Sequence, residues 1–448
     1  MNNQLKGGRR IDDWRPEDEK FWQNGGSRVA TRNLFISIPA LLLAFSVWVI
    51  WSVIVVRMPE VGFQFDKAQL SWLLALPALS GATMRLFYAF LVPVFGGRRW
   101  TTLSTASLLI PTIWLGLAIQ NPETSFTTFA IIALLCGFGG ANFSSSMSNI
   151  SFFYPKSKQG MALGLNAGLG NLGVSVLQFV VPVIIGFSLF GALAGDGQVT
   201  ESGKVLYLQN AAFVWVIPIA IMTVLAWFGM NDLSNAKASF KEQSIIFRRQ
   251  HNWIMCILYL ATFGSFIGFS AAFPMVIKQS FPEIDPLKVA FLGPLVGALF
   301  RPVGGWLSDK VGGACVTFWN YIIMTIAVIA VMFFLKNGNF TGYFAGFMLL
   351  FITTGIGNGS TFRMIPVIFR TMHERLHSPD AITQARKESA AVVGFSGGFA
   401  AYGGFFIPKM FGSGLGVNGT FLVLIAFYII CIALTWWYYS RRNAPYPC

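Results

Sequence analysis

The chain has 448 residues, 54% of them apolar and 11% charged, with a mean hydropathy of +0.61 and a formal net charge of +14. Soluble domains carry about 25% charged residues, so 32 basic and 18 acidic side chains cannot clothe the roughly three soluble domains of about 150 residues that this length would otherwise fill. In a soluble protein the positive balance would suggest nucleic acid or another acidic partner; in a membrane protein its distribution matters more than its sum.

The chain opens on a polar stretch, with Trp14-Arg-Pro-Glu-Asp-Glu19 in its middle, that reads as a tail over 1–32. A membrane helix needs ~20 mostly apolar residues. Twelve such stretches follow, at 33–56, 69–94, 100–119, 126–153, 161–190 and 209–230, then at 253–277, 288–308, 315–335, 341–369, 388–412 and 417–440. They divide into an N-terminal six-helix bundle (33–230), a linker (231–252), a C-terminal six-helix bundle (253–440) and a short tail (441–448). The first apolar run lies too deep and is too long for a cleaved signal peptide.

With both termini in the cytoplasm, 22 of the 32 cations fall on the inside, among them Arg98, Arg99 and the linker residues Lys237, Lys241, Arg248 and Arg249, against seven outside. The positive-inside rule therefore sets that orientation. The remaining three, Arg85, Arg301 and Arg363, lie within spans 2, 8 and 10. The five cysteines show no paired or metal-ligand spacing, and read as four buried small hydrophobes and one tail thiol.

Sliding the chain along itself until Gly81 falls on Gly297 lays Gly81-Ala-Thr-Met-Arg85 on Gly297-Ala-Leu-Phe-Arg301 and Gly96-Gly97 on Gly312-Gly313. A slightly larger shift places Phe45 on Phe263 and Gly137-Phe-Gly139 on Gly355-Ile-Gly357; a larger one still, laying Gly164 on Gly394, aligns span 5 with span 11. Two six-helix repeats predict an all-α membrane protein with the major facilitator fold, twelve transmembrane helices whose substrate site lies near the midplane between halves. The run Gly304-Gly-Trp-Leu-Ser-Asp309-Lys-Val-Gly-Gly313 resembles the gating-loop motif of that superfamily, with Asp309 bracing the loop. The first-half loop, Val94-Phe-Gly-Gly-Arg-Arg99, lacks the acid.

An intramembrane arginine costs about 2.5–3.5 kcal/mol on insertion scales and needs a partner. All 18 acids fall in tails, loops or span ends. Arg85 and Arg301, at equal depth in related spans, therefore predict an anion site, because the guanidinium fork matches a planar oxyanion bidentately. Charge counting alone leaves nitrate and sulfate both open. Span 5 places Gly164, Gly168, Asn171 and Ser175 on one helical stripe and Asn166, Gly170 and Gly173 on another; Gly394, Gly398, Gly403 and Gly404 mark span 11. Close helix packing explains such glycines as well as a substrate role does, and Asn171, a buried amide in need of partners, favours the substrate role.

Together, the arginines of spans 2 and 8 and the paired glycine signatures at 164–173 and 394–404 make the chain resemble the nitrate/nitrite porters of the major facilitator superfamily over nearly its whole length. The resemblance implies that Arg85 and Arg301 clamp the anion, that Asn171 and Tyr259 donate hydrogen bonds to it, and that Phe143 and Phe263 sandwich its flat face. The signature glycines, Gly164, Gly168, Gly170, Gly173, Gly394, Gly398, Gly403 and Gly404, would let their helices slide. It implies a transporter rather than an enzyme, embedded as a monomer in the bilayer of the inner membrane, with no cofactor, metal or nucleic-acid partner. With no embedded acid or histidine for a proton relay, the expected mechanism is alternating-access exchange, nitrate inward and nitrite outward. The alternatives are proton-coupled nitrate symport and antiport of another small anion such as a phosphate ester.

Overall fold

The computed structural model describes residues 9–191, 195–200, 202–234, 244–377 and 381–448, apart from the side chains at 89, 90, 156, 383 and 386. Lys237, Lys241, Glu242 and Asp380 lie outside the described residues. Among the described residues, twelve helical spans long and apolar enough to cross a membrane follow in order: α1 (Glu19–Arg57), α2 (Lys67–Phe95), α3 (Gly97–Ala118), α4 (Phe126–Phe153), α5 (Lys156–Ile184), α6 (Asn210–Gly229), α7 (Gln250–Ser280), α8 (Leu292–Val311), α9 (Gly313–Lys336), α10 (Phe340–Arg375), α11 (Ala381–Ala400 and Gly403–Phe411) and α12 (Gly416–Ser440). Large apolar side chains point outward from them, with Phe228 65% and Trp319 58% exposed, which suits a hydrocarbon surround and not water.

The chain forms two compact units, Met1–Gln69 with Leu76–Ser239, and Leu70–Ala75 with Phe240–Cys448. In the first, α1 packs against α4, α5 and α6; in the second, α10 packs against α8 and α9. The repeat is visible in the backbone. Gly96 (φ +89°) and Gly312 (φ +92°), equivalent in the two repeats, end α2 and α8 in a conformation that L side chains rarely adopt. A Cβ on Gly137 would stand 2.7 Å from Gly81 N, and one on Gly355 would collide with Gly297 O, so α4 lies as close against α2 as α10 does against α8.

The described part of the stretch read as a tail, residues 9–32, packs against the bundle. A short strand β1 (Arg10–Ile11) pairs in parallel with β4 (Asp232–Leu233), and α1 starts at Glu19, capped by Asp18. Ile11 and Trp14 are 2% and 3% exposed, and the Trp14 ring meets Phe21 and Phe153 edge-on. Hydropathy misses this docking because each buried side chain stands alone among polar neighbours. The C-terminal stretch docks as well: Ala314 N donates to Cys448 O at 2.9 Å, and the Tyr446 ring lies 4.1 Å from the His251 ring. A hairpin of β2 (Gln198–Val199) and β3 (Val205–Leu206) joins α5 to α6. All five cysteines are free; Cys136, Cys256 and Cys431 are buried, whereas Cys315, expected to be buried, is exposed on α9.

Candidate functional site

In the first unit, the glycine contact between α2 and α4 brings Arg85 against α4. Its Nε donates to Gly140 O at 2.7 Å, and its guanidinium carbon lies 4.8 Å from the Phe143 ring, 4.9 Å from Trp48 and 6.0 Å from Phe45. Trp48 is itself fixed by its indole N–H, which donates to Pro77 O at 2.9 Å. With Arg85 only 2% exposed, the charge sits among aromatic faces, where cation–π attraction is strongest because water is excluded. Asn171 on α5 is 1% exposed, and its Oδ1 has no hydrogen-bond partner among the described residues.

The second unit repeats the design with different parts. Arg301 is 8% exposed; its Nη2 donates to Tyr259 Oη at 3.1 Å, while Nη1 is buried with no partner among the described residues. One edge of the fork is thus anchored and the other is open to an acceptor. Tyr259 stacks on Phe263 at 5.4 Å with the rings 6° apart. The turn that carries Phe263, Leu260–Gly264, is π-helical, a local widening that recurs at functional sites. The structure therefore gathers Arg85 with Phe143, and Arg301 with Tyr259 and Phe263. Trp48 beside Arg85 and Phe362, 5.1 Å beneath Arg301, are members that sequence patterning did not single out.

Six of the eight signature glycines, Gly164, Gly168, Gly170, Gly173, Gly394 and Gly403, separate into two kinds. A Cβ on Gly173 would collide with Leu42 O of α1, and one on Gly170 would lie 2.6 Å from Leu41 Cδ2, so this stripe is a packing seam. Its counterpart in α11, Gly403, would collide in the same way with Gly264 Cα of α7. Gly164 and Gly394, equivalent to each other in the repeat, face open space, as does Gly168. Gly403 begins the second segment of α11, just after the helix is interrupted at 401–402. Gly173→Ala is accordingly expected to lower the melting temperature of the detergent-solubilised protein, at about 1–3 kcal/mol for overpacking. Gly164→Ala is expected to leave it unchanged or raise it, since alanine is favoured by up to about 1 kcal/mol in a helix.

Both loops that follow the arginine helices are braced by acids. Asp309 pairs with Arg363, each side chain about half exposed. Arg363, which its apolar context reads as an unpaired intramembrane arginine, thus has an acidic partner: it lies on α10, which runs on to Arg375, and pairs with Asp309 in the last turn of α8. In the first half the missing acid comes from the other end of the bundle. Asp232, in β4, accepts from Arg98 N (2.9 Å), Arg98 Nε (3.1 Å) and Arg99 N (3.3 Å), and Arg98 is buried. A further buried cluster holds the start of α11: both Glu388 oxygens accept from Arg249 at 2.8 Å, and His373 Nε2 lies 3.1 Å from Glu388. The Arg249 pKa is raised by that hydrogen bond to Glu388.

The sequence model of the Major Facilitator Superfamily matches residues 36–408. The chain is 50% identical over 448 residues to the nitrate/nitrite transporter NarU of Escherichia coli (strain K12), covering 97% of this chain and 96% of that one. It is 40% identical over 453 residues to the probable nitrate/nitrite antiporter NarK2 of Thermus thermophilus, covering 98% of each. Among solved structures, a bacterial homologue of the human lysosomal transporter Spinster, inward-facing and occupied, superposes with a TM-score of 0.66 over 92% of this chain and 96% of that one; at 15% identity the likeness is of fold.

Proposed function

The chain belongs to the major facilitator superfamily and, within it, to the nitrate/nitrite porters, and from that membership we propose that it exchanges nitrate for nitrite across the inner membrane by alternating access, nitrate moving in and nitrite out. The protein is a transporter and not an enzyme. The observation that carries the reading is the half-anchored fork of Arg301: Tyr259 holds Nη2, and the buried Nη1 is left for an acceptor that the described residues do not provide.

In this mechanism one anion is bound by Arg85 and Arg301 together, with Asn171 and Tyr259 donating to its oxygens and Phe143 and Phe263 against its plane. Two guanidiniums brought together without an anion repel each other, which hinders reorientation of the empty carrier. Nitrate or nitrite relieves that repulsion, and each carries one negative charge, so one-for-one exchange is electroneutral. Gly164, Gly168 and Gly394 leave room for α5 and α11 to shift, while Gly170, Gly173 and Gly403 keep them seated on their neighbours. Asp309 with Arg363, and Asp232 with Arg98, brace the loops. In this reading both termini face the cytoplasm, which the distribution of cations supports, and the carrier works as a monomer without cofactor.

We read Glu388, whose two oxygens accept from Arg249 and whose Oε1 lies 3.1 Å from His373 Nε2, as a brace at the start of α11 and not as a proton carrier. Substrate identity is tested by competition in proteoliposomes. Nitrite is expected to displace labelled nitrate at comparable concentration, and a phosphate ester to leave uptake unchanged; displacement by the ester but not by nitrite would overturn the assignment.

A further inference from the structure

The two arginine environments share a feature that the repeat alignment conceals. In the first unit the Arg85 guanidinium lies over Phe143, six positions after Gly137; in the second, the Arg301 guanidinium lies 5.1 Å over Phe362, seven positions after Gly355. Gly137 and Gly355 are the equivalent close-contact glycines of α4 and α10. The constant shift that aligns those glycines pairs Phe143 with Thr361 and hides the correspondence by one position.

Phe362 touches more than the guanidinium. Its ring stacks on Tyr259 at 4.3 Å with 26° between planes, and Tyr259 Oη is the acceptor that fixes Arg301 Nη2. One aromatic ring therefore lies against both the fork and the tyrosine whose hydroxyl holds it. A flat guanidinium held against a ring face presents its N–H edge outward, the orientation a planar oxyanion needs for bidentate binding. Without the ring, Arg301 keeps its charge and, among the described residues, the Tyr259 hydrogen bond to orient it.

We propose that Phe362 is a positioning residue for anion capture, the second-half counterpart of Phe143, acting through Arg301 and Tyr259. The inference rests on the exchange function proposed above and deepens it. It is tested by nitrate–nitrite counterflow in proteoliposomes with wild type, Phe362→Leu, Phe362→Met and Phe362→Tyr, reading KM and maximum rate separately. The expected result is a rise in KM of about thirtyfold for the Leu and Met variants, the size of a desolvated cation–π contact, with maximum rate within about twofold of wild type and KM restored in the Tyr variant. Should the Leu variant not be recovered as a single species, the Met variant, which fills similar space without a ring, carries the comparison. Unchanged KM in the ringless variants, a fall in maximum rate alone, or a Tyr variant as impaired as Leu would overturn the inference. Absence of exchange in wild type would overturn the proposed function itself, and is visible in that control.

Discussion

Arg85→Lys and Arg301→Lys are each expected to reduce nitrate–nitrite exchange by about 100-fold or more while leaving a folded, monodisperse protein. Lysine keeps the charge but not the planar fork. At position 85 the change removes the Nε contact to Gly140 O and the stacking over Phe143 and Trp48; at 301 it removes the pairing of one nitrogen with Tyr259 and the other with the anion. Hydrogen bonds to a charged group contribute about 1.5–3 kcal/mol each, so losing two of them amounts to two decades or more at about 1.4 kcal/mol per tenfold. Retention of more than a tenth of wild-type exchange by either variant would mean that charge alone, without bidentate geometry, suffices.

The second large effect concerns stability. Asp232→Asn strands Arg98, whose side chain is 7% exposed, opposite a neutral amide. Breaking one side of a buried ion pair costs about 3–5 kcal/mol because the remaining charge stays desolvated. Asp309→Asn, by contrast, breaks a pair that is about half exposed on both sides, where contributions are about 1 kcal/mol or less. Thermal melting of the two variants in detergent is therefore expected to rank Asp232→Asn far below wild type and Asp309→Asn close to it. Equal melting temperatures would show that the first-half brace contributes no more than the second. Because β1 pairs directly with β4, removal of residues 1–13 is expected to lower stability in the same direction.

The twelve spans, the repeat and the two deep arginines are legible in the sequence because each is carried by a pattern: an apolar run, a constant shift, or a charge where hydropathy allows none. What patterning misses is set by tertiary contact. The acid that braces the turn between α2 and α3 is Asp232, 134 residues from Arg98, and no local motif announces it. Trp14 and Ile11 are buried singly in a polar segment, so no run or period marks them. Phe362 escapes because α10 is offset by one position from α4, and the partner of Arg363 escapes because Asp309 lies 54 residues away on another helix. The glycine stripes are predicted as stripes, but only backbone distances distinguish Gly173 and Gly403, which touch a neighbouring helix, from Gly164 and Gly394, which face open space.

Counterflow tests the central claim most directly: that the transported anion is the counter-ion of the two arginines, so that the carrier turns over only when loaded. Proteoliposomes filled with nitrite are expected to accumulate external nitrate one for one, at a rate insensitive to membrane potential, while nitrite-free vesicles accumulate essentially none under the same pH gradient. Nitrate uptake into nitrite-free vesicles, driven by a proton gradient at the exchange rate, would contradict the account.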